Sequence, residues 1–173
     1  EKLSFSANNL ETINNDIENK RIFKNNVQIQ KKDLYLFSDK AIHYPDSFKI
    51  YLNGNIKMYS QYDSLFCDEL ILYDQNLRRF DADGNIIFYK NQQKIESNHL
   101  EYITLDSLNN VSVNLSGNVS IKDSLRILNG DTLFIDYKDS LIQNFIMKNN
   151  AKIINSRYAK ITSNSKKQLF NDI

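Results

Sequence analysis

Side chains able to do covalent or proton-transfer chemistry are sparse in this sequence. Cys67 is the single cysteine, which excludes an intramolecular disulfide framework and a thiolate metal cluster. With two histidines, His43 and His99, a His-based metal site has too few ligands, and neither stands in a Ser, His and Asp pattern suited to nucleophilic catalysis. Asp39, Asp68 and Asp131 do recur at one kind of position. Each follows a small residue at a strand irregularity, where a carboxylate accepts backbone N–H bonds; that is a structural role, not paired acid and base work. The basic pairs Lys31-Lys32, Arg78-Arg79 and Lys166-Lys167 fall at turns or strand ends and read as solvated, with contact to a phosphate as the alternative. Twenty-two basic against 21 acidic residues leave a net charge of +1. No global field therefore points to nucleic acid or to an anionic membrane surface. What remains is physical chemistry, the removal of apolar surface from water, and the residues for it are those that alternate.

The alternation is carried by a repeat. Gly54-Asn55-Ile56 recurs as Gly84-Asn85-Ile86 and Gly117-Asn118-Val119, with degenerate copies at Asn25-Asn26-Val27 and Asn149-Asn150-Ala151. A period of about 30 residues is the size of one supersecondary unit in a stacked architecture. Flanking residues alternate strictly, as in Ile50, Leu52, Gly54, Ile56, Met58, then Phe80, Ala82, Gly84, Ile86, Phe88, and Val113, Leu115, Gly117, Val119, Ile121. Period two with one greasy face predicts strands packed on one side. A second template lies between these strands: apolar, spacer, small residue, usually Asp or Asn, then an apolar residue two further on. Leu36-Phe37-Ser38-Asp39-Lys40-Ala41 and Leu65-Phe66-Cys67-Asp68-Glu69-Leu70 are two copies. Cys67 takes the slot of Ala7, Ser38, Ser97, Gly130 and Ser156, so it reads as a small inward filler. Apolar parity switches after that slot, which predicts a β-bulge at the Asp or Asn. His43 falls on an apolar position and reads as a rim or partly buried residue, whereas His99 should face solvent.

These templates predict an all-β chain of about eleven or twelve consecutive antiparallel strands from repeated hairpins. The clearest turns are Tyr62-Asp63-Ser64, Asp74-Gln75-Asn76, Asn91-Gln92-Gln93 and Asp106 to Asn110. No domain boundary interrupts residues 1–173, which read as one domain. No apolar stretch approaches the roughly 20 residues of a membrane helix. The opening residues Glu1 to Ser6 lack a secretory pattern, and Gln168 to Ile173 begin another alternating strand. The end therefore reads either as an open final edge or as a cut from a longer protein, and an exported protein would have its signal peptide outside this sequence, leaving a fragment or the mature part.

The paired templates, most complete from Ser64 to Phe88, resemble the repeat of the OstA/LptA-type periplasmic lipopolysaccharide-transport family, over nearly the whole chain. Glycine is replaced by Asn25 and Asn149, and Asp by Arg157, so the end copies are expected to be looser. The resemblance implies an open twisted β-jellyroll, or β-taco, whose apolar groove shields the acyl chains of lipopolysaccharide (lipid A) on the way to the outer membrane. It also implies a non-enzymatic scaffold with no cofactor, located in the periplasm and bridging the inner and outer membranes. Partners would be other OstA-fold transport proteins joined by edge-strand addition, or further copies of the chain stacked head to tail. The inward-facing Ile56, Met58, Phe80, Ile86, Phe88, Leu100, Tyr102, Leu115, Ile121, Leu133 and Phe145 are the candidate groove lining. By residues alone, such a stripe is equally the closed core of a structural or adhesive β-solenoid. Within the family, the soluble bridge and the periplasmic N-terminal domain of the outer-membrane translocon remain alternatives.

Overall fold

Alternating segments pair as strands wherever the backbone is described. The computed structural model describes residues 3–15, 17–61, 63–73, 78–90, 92–104, 110–124, 126–139, 141–155, 161–162 and 168–169. In chain order the strands are β1 (Ser4–Ser6), β2 (Asn9–Asn14), β3 (Asn19–Lys31), β4 (Leu34–Tyr44), β5 (Lys49–Tyr59), β6 (Ser64–Leu72) and β7 (Arg79–Lys90). They continue as β8 (Gln93–Thr104), β9 (Val111–Lys122), β10 (Arg126–Lys138), β11 (Leu141–Lys148), β12 (Lys152–Asn155), β13 (Ile161–Thr162) and β14 (Gln168–Leu169). All 14 belong to one sheet, and from β3 to β11 each pairs antiparallel with the next. β1 and β2 are two halves of one rung, both on β3; β11 and β12 share β10 in the same way. β13 and β14 pair with β12 and β11, and among the described residues the first strands do not pair with the last, so the sheet is open. The predicted turn at Asp74-Gln75-Asn76, most of that at Asp106 to Asn110, the template copy at Ser156 to Ala159 and the Lys166-Lys167 pair lie outside the described residues.

Alternate rungs carry a pair of left-handed residues at their middle, and in β5, β7 and β9 that pair is Gly-Asn. Gly54 and Asn55 have φ of 80° and 49°, Gly84 and Asn85 of 74° and 45°, Gly117 and Asn118 of 76° and 54°. Asn25-Asn26 and Asn149-Asn150 adopt the same left-handed pair without glycine, with φ between 52° and 63°. Asparagine tolerates that region better than other L residues, so these end copies keep the corner. At Gly84 the glycine has a second reason. A Cβ there would lie 2.5 Å from Asp68 Oδ2. That carboxylate sits over the corner and accepts a 2.7 Å hydrogen bond from Asn85 Nδ2; Asp39 with Asn55 and Asp131 with Asn150 repeat the arrangement at 2.8 and 2.9 Å. The recurrent Asp thus pins the corner, although to a side-chain amide.

The position of the irregularity differs from the sequence expectation. The surplus residue lies in the Gly-Asn strand and not at the Asp: between β5 and β6, Asn53 pairs with Glu69 and Ile56 with Cys67, leaving Gly54 and Asn55 against Asp68. Two successive left-handed residues turn the chain while preserving parity, so Leu52 and Ile56 both stay inward. The Asp strand crosses the same corner over an odd step, from Cys67 to Leu70, and there the parity switches. The sheet folds over along this line into two leaves. One holds the strand halves 27–31, 34–38, 56–59, 64–67, 86–90, 93–97, 119–122 and 126–130; the other holds 40–44, 49–53, 69–72, 79–83, 99–104, 111–116, 132–138 and 141–148. Their apolar faces meet. Phe5 on the first leaf stacks at 5.0 Å on Phe23 and at 5.1 Å on His43, both on the second.

Candidate functional site

The site is the interior between the leaves, and period two places its lining. The first leaf contributes Ile56, Met58, Ile86, Phe88 and Ile121; the second contributes Phe80, Leu100, Tyr102, Leu115, Leu133 and Phe145. All but one of these predicted groove residues are buried, Phe88 to 2% exposure and Leu100 to 0%, while Tyr102 is partly buried against the same cluster. They form one hydrophobic cluster from Phe23 to Ala151. The small-residue slots let the leaves close near the bend. Cys67 is buried there, as are Ser38 and Ser97, whose hydroxyls each donate at 3.1 Å to the carbonyl two residues on. Burial pushes the Cys67 thiol up to about 12, with the charges of Asp68 and Asp83 adding to the effect. A thiol held neutral and buried is a filler.

Away from the bend the leaves separate enough to leave a cavity of about 140 Å³, lined by Leu34, Met58, Ser60, Asp63, Leu72, Phe80, Phe88 and Tyr102. It draws Met58 and Phe88 from one leaf and Leu72, Phe80 and Tyr102 from the other, and Phe80 and Tyr102 stack at 4.7 Å along one wall. Four predicted residues meet here. The remaining seven lie elsewhere in the cluster. A larger recess of about 550 Å³ lies between Gln28, Phe37, Asp39, Asn55, Lys57 and Tyr59, and the buried Val27 and Ser38 also line it.

One ion pair guards this cavity. Lys90 Nζ lies 2.6 Å from Asp63 Oδ2, with the two side chains only 12% and 24% exposed. The same ammonium stands 5.9 Å from the Phe88 ring on its own leaf and 5.5 Å from the Tyr137 ring on the facing one. Lys90 therefore spans the seam. Burial raises the Tyr102 hydroxyl to about 12, with the Asp63 charge behind it. Tyr137 is raised by burial, then by Asp63 and Tyr102, so both phenols stay neutral at the seam. Asp63, Lys90 and Tyr137 were not among the sequence candidates. Asp63 sits in a turn and Lys90 at a strand end, where alternation carries no inward or outward signal. At the other end, His43 is inward and partly buried; burial lowers its pKa, as does the charge of Arg21. His99 lies on the outer face, with Nδ1 2.7 Å from Asp83 Oδ1. Among the described residues no cluster of His, Cys, Asp and Glu could hold a metal ion.

One antiparallel sheet, folded along a row of left-handed corners over an apolar interior and open at its edges, defines an open β-jellyroll. The sequence model of the OstA-like protein family matches residues 3–164, and the chain belongs to that family of transport and binding scaffolds. A comparison with curated protein sequences gives no match.

Proposed function

We propose that this protein shields acyl chains of lipopolysaccharide between its two leaves as the lipid crosses the periplasm. The supporting observation is the shared interior. Alternate residues of both leaves turn inward along the whole sheet, and the cavity at the seam is walled by Met58, Phe80, Phe88 and Tyr102. An acyl chain of about a dozen carbons forfeits roughly 10 kcal/mol when moved into water, at about 0.8 kcal/mol per methylene. A continuous apolar path removes that barrier. The cavity of about 140 Å³ is near the size that takes one benzene, so it admits the end of a chain. Longer insertion requires the leaves to part along the Lys90 seam, with the corner row as the hinge. The eleven predicted groove residues would then line the path, the deep ones closing behind the lipid.

The edges complete the proposal. β1 and β2 at one end and β13 and β14 at the other have one partner each among the described residues, and unpaired strand edges accept further strands. Other OstA-fold proteins, or further copies of this chain, would extend the trough there. Near-complete burial of the inner faces supports a second reading, a structural or adhesive β-solenoid with a sealed core. Mass spectrometry of gently purified protein under non-denaturing conditions separates the two. Transport predicts a co-purifying acylated glycolipid; protein free of lipid before and after incubation with lipopolysaccharide refutes it. A long C-terminal extension in the full-length gene would assign the chain to the translocon and not to the soluble bridge.

A further inference from the structure

We propose that Lys90 reads the headgroup of the bound lipid, exchanging its Asp63 partner for a phosphate when an acyl chain occupies the seam cavity. The inference rests on the acyl-binding reading above. An amphiphile inserted from the seam places its apolar end against Phe80 and Phe88 and leaves its polar end at the rim. Lys90, paired with the cavity-lining Asp63, supplies a cation at that rim. Its ammonium is 2.6 Å from a carboxylate that itself lines the cavity. Asp63 thus occupies the place where an anionic headgroup would emerge.

The pair is largely withdrawn from solvent, so losing either partner leaves a poorly hydrated charge behind. A phosphate arriving with the chain can replace the carboxylate without stranding the ammonium, because it brings its own charge and acceptor oxygens. Lys90 is also the group that touches both leaves, through Phe88 and Tyr137. Headgroup capture and parting of the seam therefore act on one side chain. Asp63, released from Lys90, would turn toward solvent from its place in the turn closed by Ser60 N–H to the Asp63 carbonyl. The site selects phosphorylated over neutral acylated lipids.

The test is displacement of a solvatochromic acyl dye from the intact chain by bisphosphoryl lipid A, by the same lipid after phosphatase treatment, and by inorganic phosphate alone. The parent protein should prefer the phosphorylated lipid by about tenfold, the scale of one charge-assisted hydrogen bond. Lys90→Met should abolish the preference while still binding the dephosphorylated lipid. Lys90→Arg should retain it, and Asp63→Asn should enlarge it by removing the competitor. Opposite effects of Lys90→Met and Asp63→Asn are the signature, since a merely structural ion pair would move both variants in one direction. Equal affinity of the parent for the two lipids overturns the role of Lys90 and leaves acyl binding standing. So does equal weakening of both lipids by Lys90→Met, or release of the dye by micromolar inorganic phosphate. Failure of both lipids to displace the dye overturns the acyl-binding reading itself, and this one with it.

Discussion

Replacing Gly84 by alanine should cost this protein about 2–3 kcal/mol, from two separable causes. The first is conformational. Gly84 has φ of +74°, and an L residue forced into left-handed backbone loses roughly 1–2 kcal/mol. The second is steric: the new Cβ would lie 2.5 Å from Asp68 Oδ2, so the carboxylate must move and its 2.7 Å bond from Asn85 is lost. A net hydrogen bond of this kind contributes about 1 kcal/mol. For a chain of this length each kcal/mol lowers the thermal midpoint by roughly 2–4 °C, so the total is about 5–10 °C. The assay is urea and thermal unfolding by far-ultraviolet circular dichroism on Gly84→Ala, Asp68→Ala and the double variant. With Asp68 truncated, Gly84→Ala should retain only the backbone cost, giving a coupling of about 1 kcal/mol. An alanine variant within about 0.5 kcal/mol of the parent would refute the corner argument. Additive single effects would refute the contact and leave only the φ cost.

Cys67 should resist thiol reagents in the folded protein at pH 8 and react fully in denaturant, because burial holds the thiol up to about 12; fast labelling of folded protein would contradict a closed corner. Tyr102 gives an alkaline signature. Its folded pKa, raised to about 12 from 10, means the unfolded chain releases the proton first. Its contribution is complete below pH 10 and is lost as pH rises toward about 12. Tyr102→Phe should flatten the loss of stability over that window, and an unchanged pH profile would show the hydroxyl to be solvated. His43 has the opposite dependence, since its folded pKa lies below 6.5. Stability should be complete above that value and fall as pH drops through the folded pKa, and His43→Phe should reduce the slope. An equal slope in the variant would remove the burial argument.

Much of this architecture was legible in the sequence because its rules are local. Alternation of Ile50, Leu52, Ile56 and Met58 gave strand and inward face together, and side-chain period two leaves no third choice. That Gly and Asn take two left-handed positions in succession was not legible, because alternation reports faces and not the sign of φ. The placement of the bulge was not legible, because parity reports only that a strand switches faces, not which partner carries the surplus residue. The seam was hidden for a different reason. Asp63 and Lys90, 27 positions apart, meet through the β6–β7 register that pairs Ser64 with Tyr89, whereas Tyr137 comes from a rung of the other leaf, so its approach to Lys90 depends on how far the sheet folds over. Closure angle is a property of the packed leaves and leaves no periodic trace. The same holds for the Phe5 stack on His43, which joins β1 to β4 across the interior.

Site-specific photocrosslinking to lipopolysaccharide tests the central claim most directly. A photoreactive aromatic residue is placed either at Phe88, which faces the interior, or at neighbouring Ile87, which faces outward on the same strand. Acyl-chain shielding predicts a strong lipid adduct from position 88 and little from position 87, with both proteins retaining their β-sheet spectrum. Adducts of equal yield from the two positions, or from position 87 alone, would place the lipid outside the leaves and contradict the account.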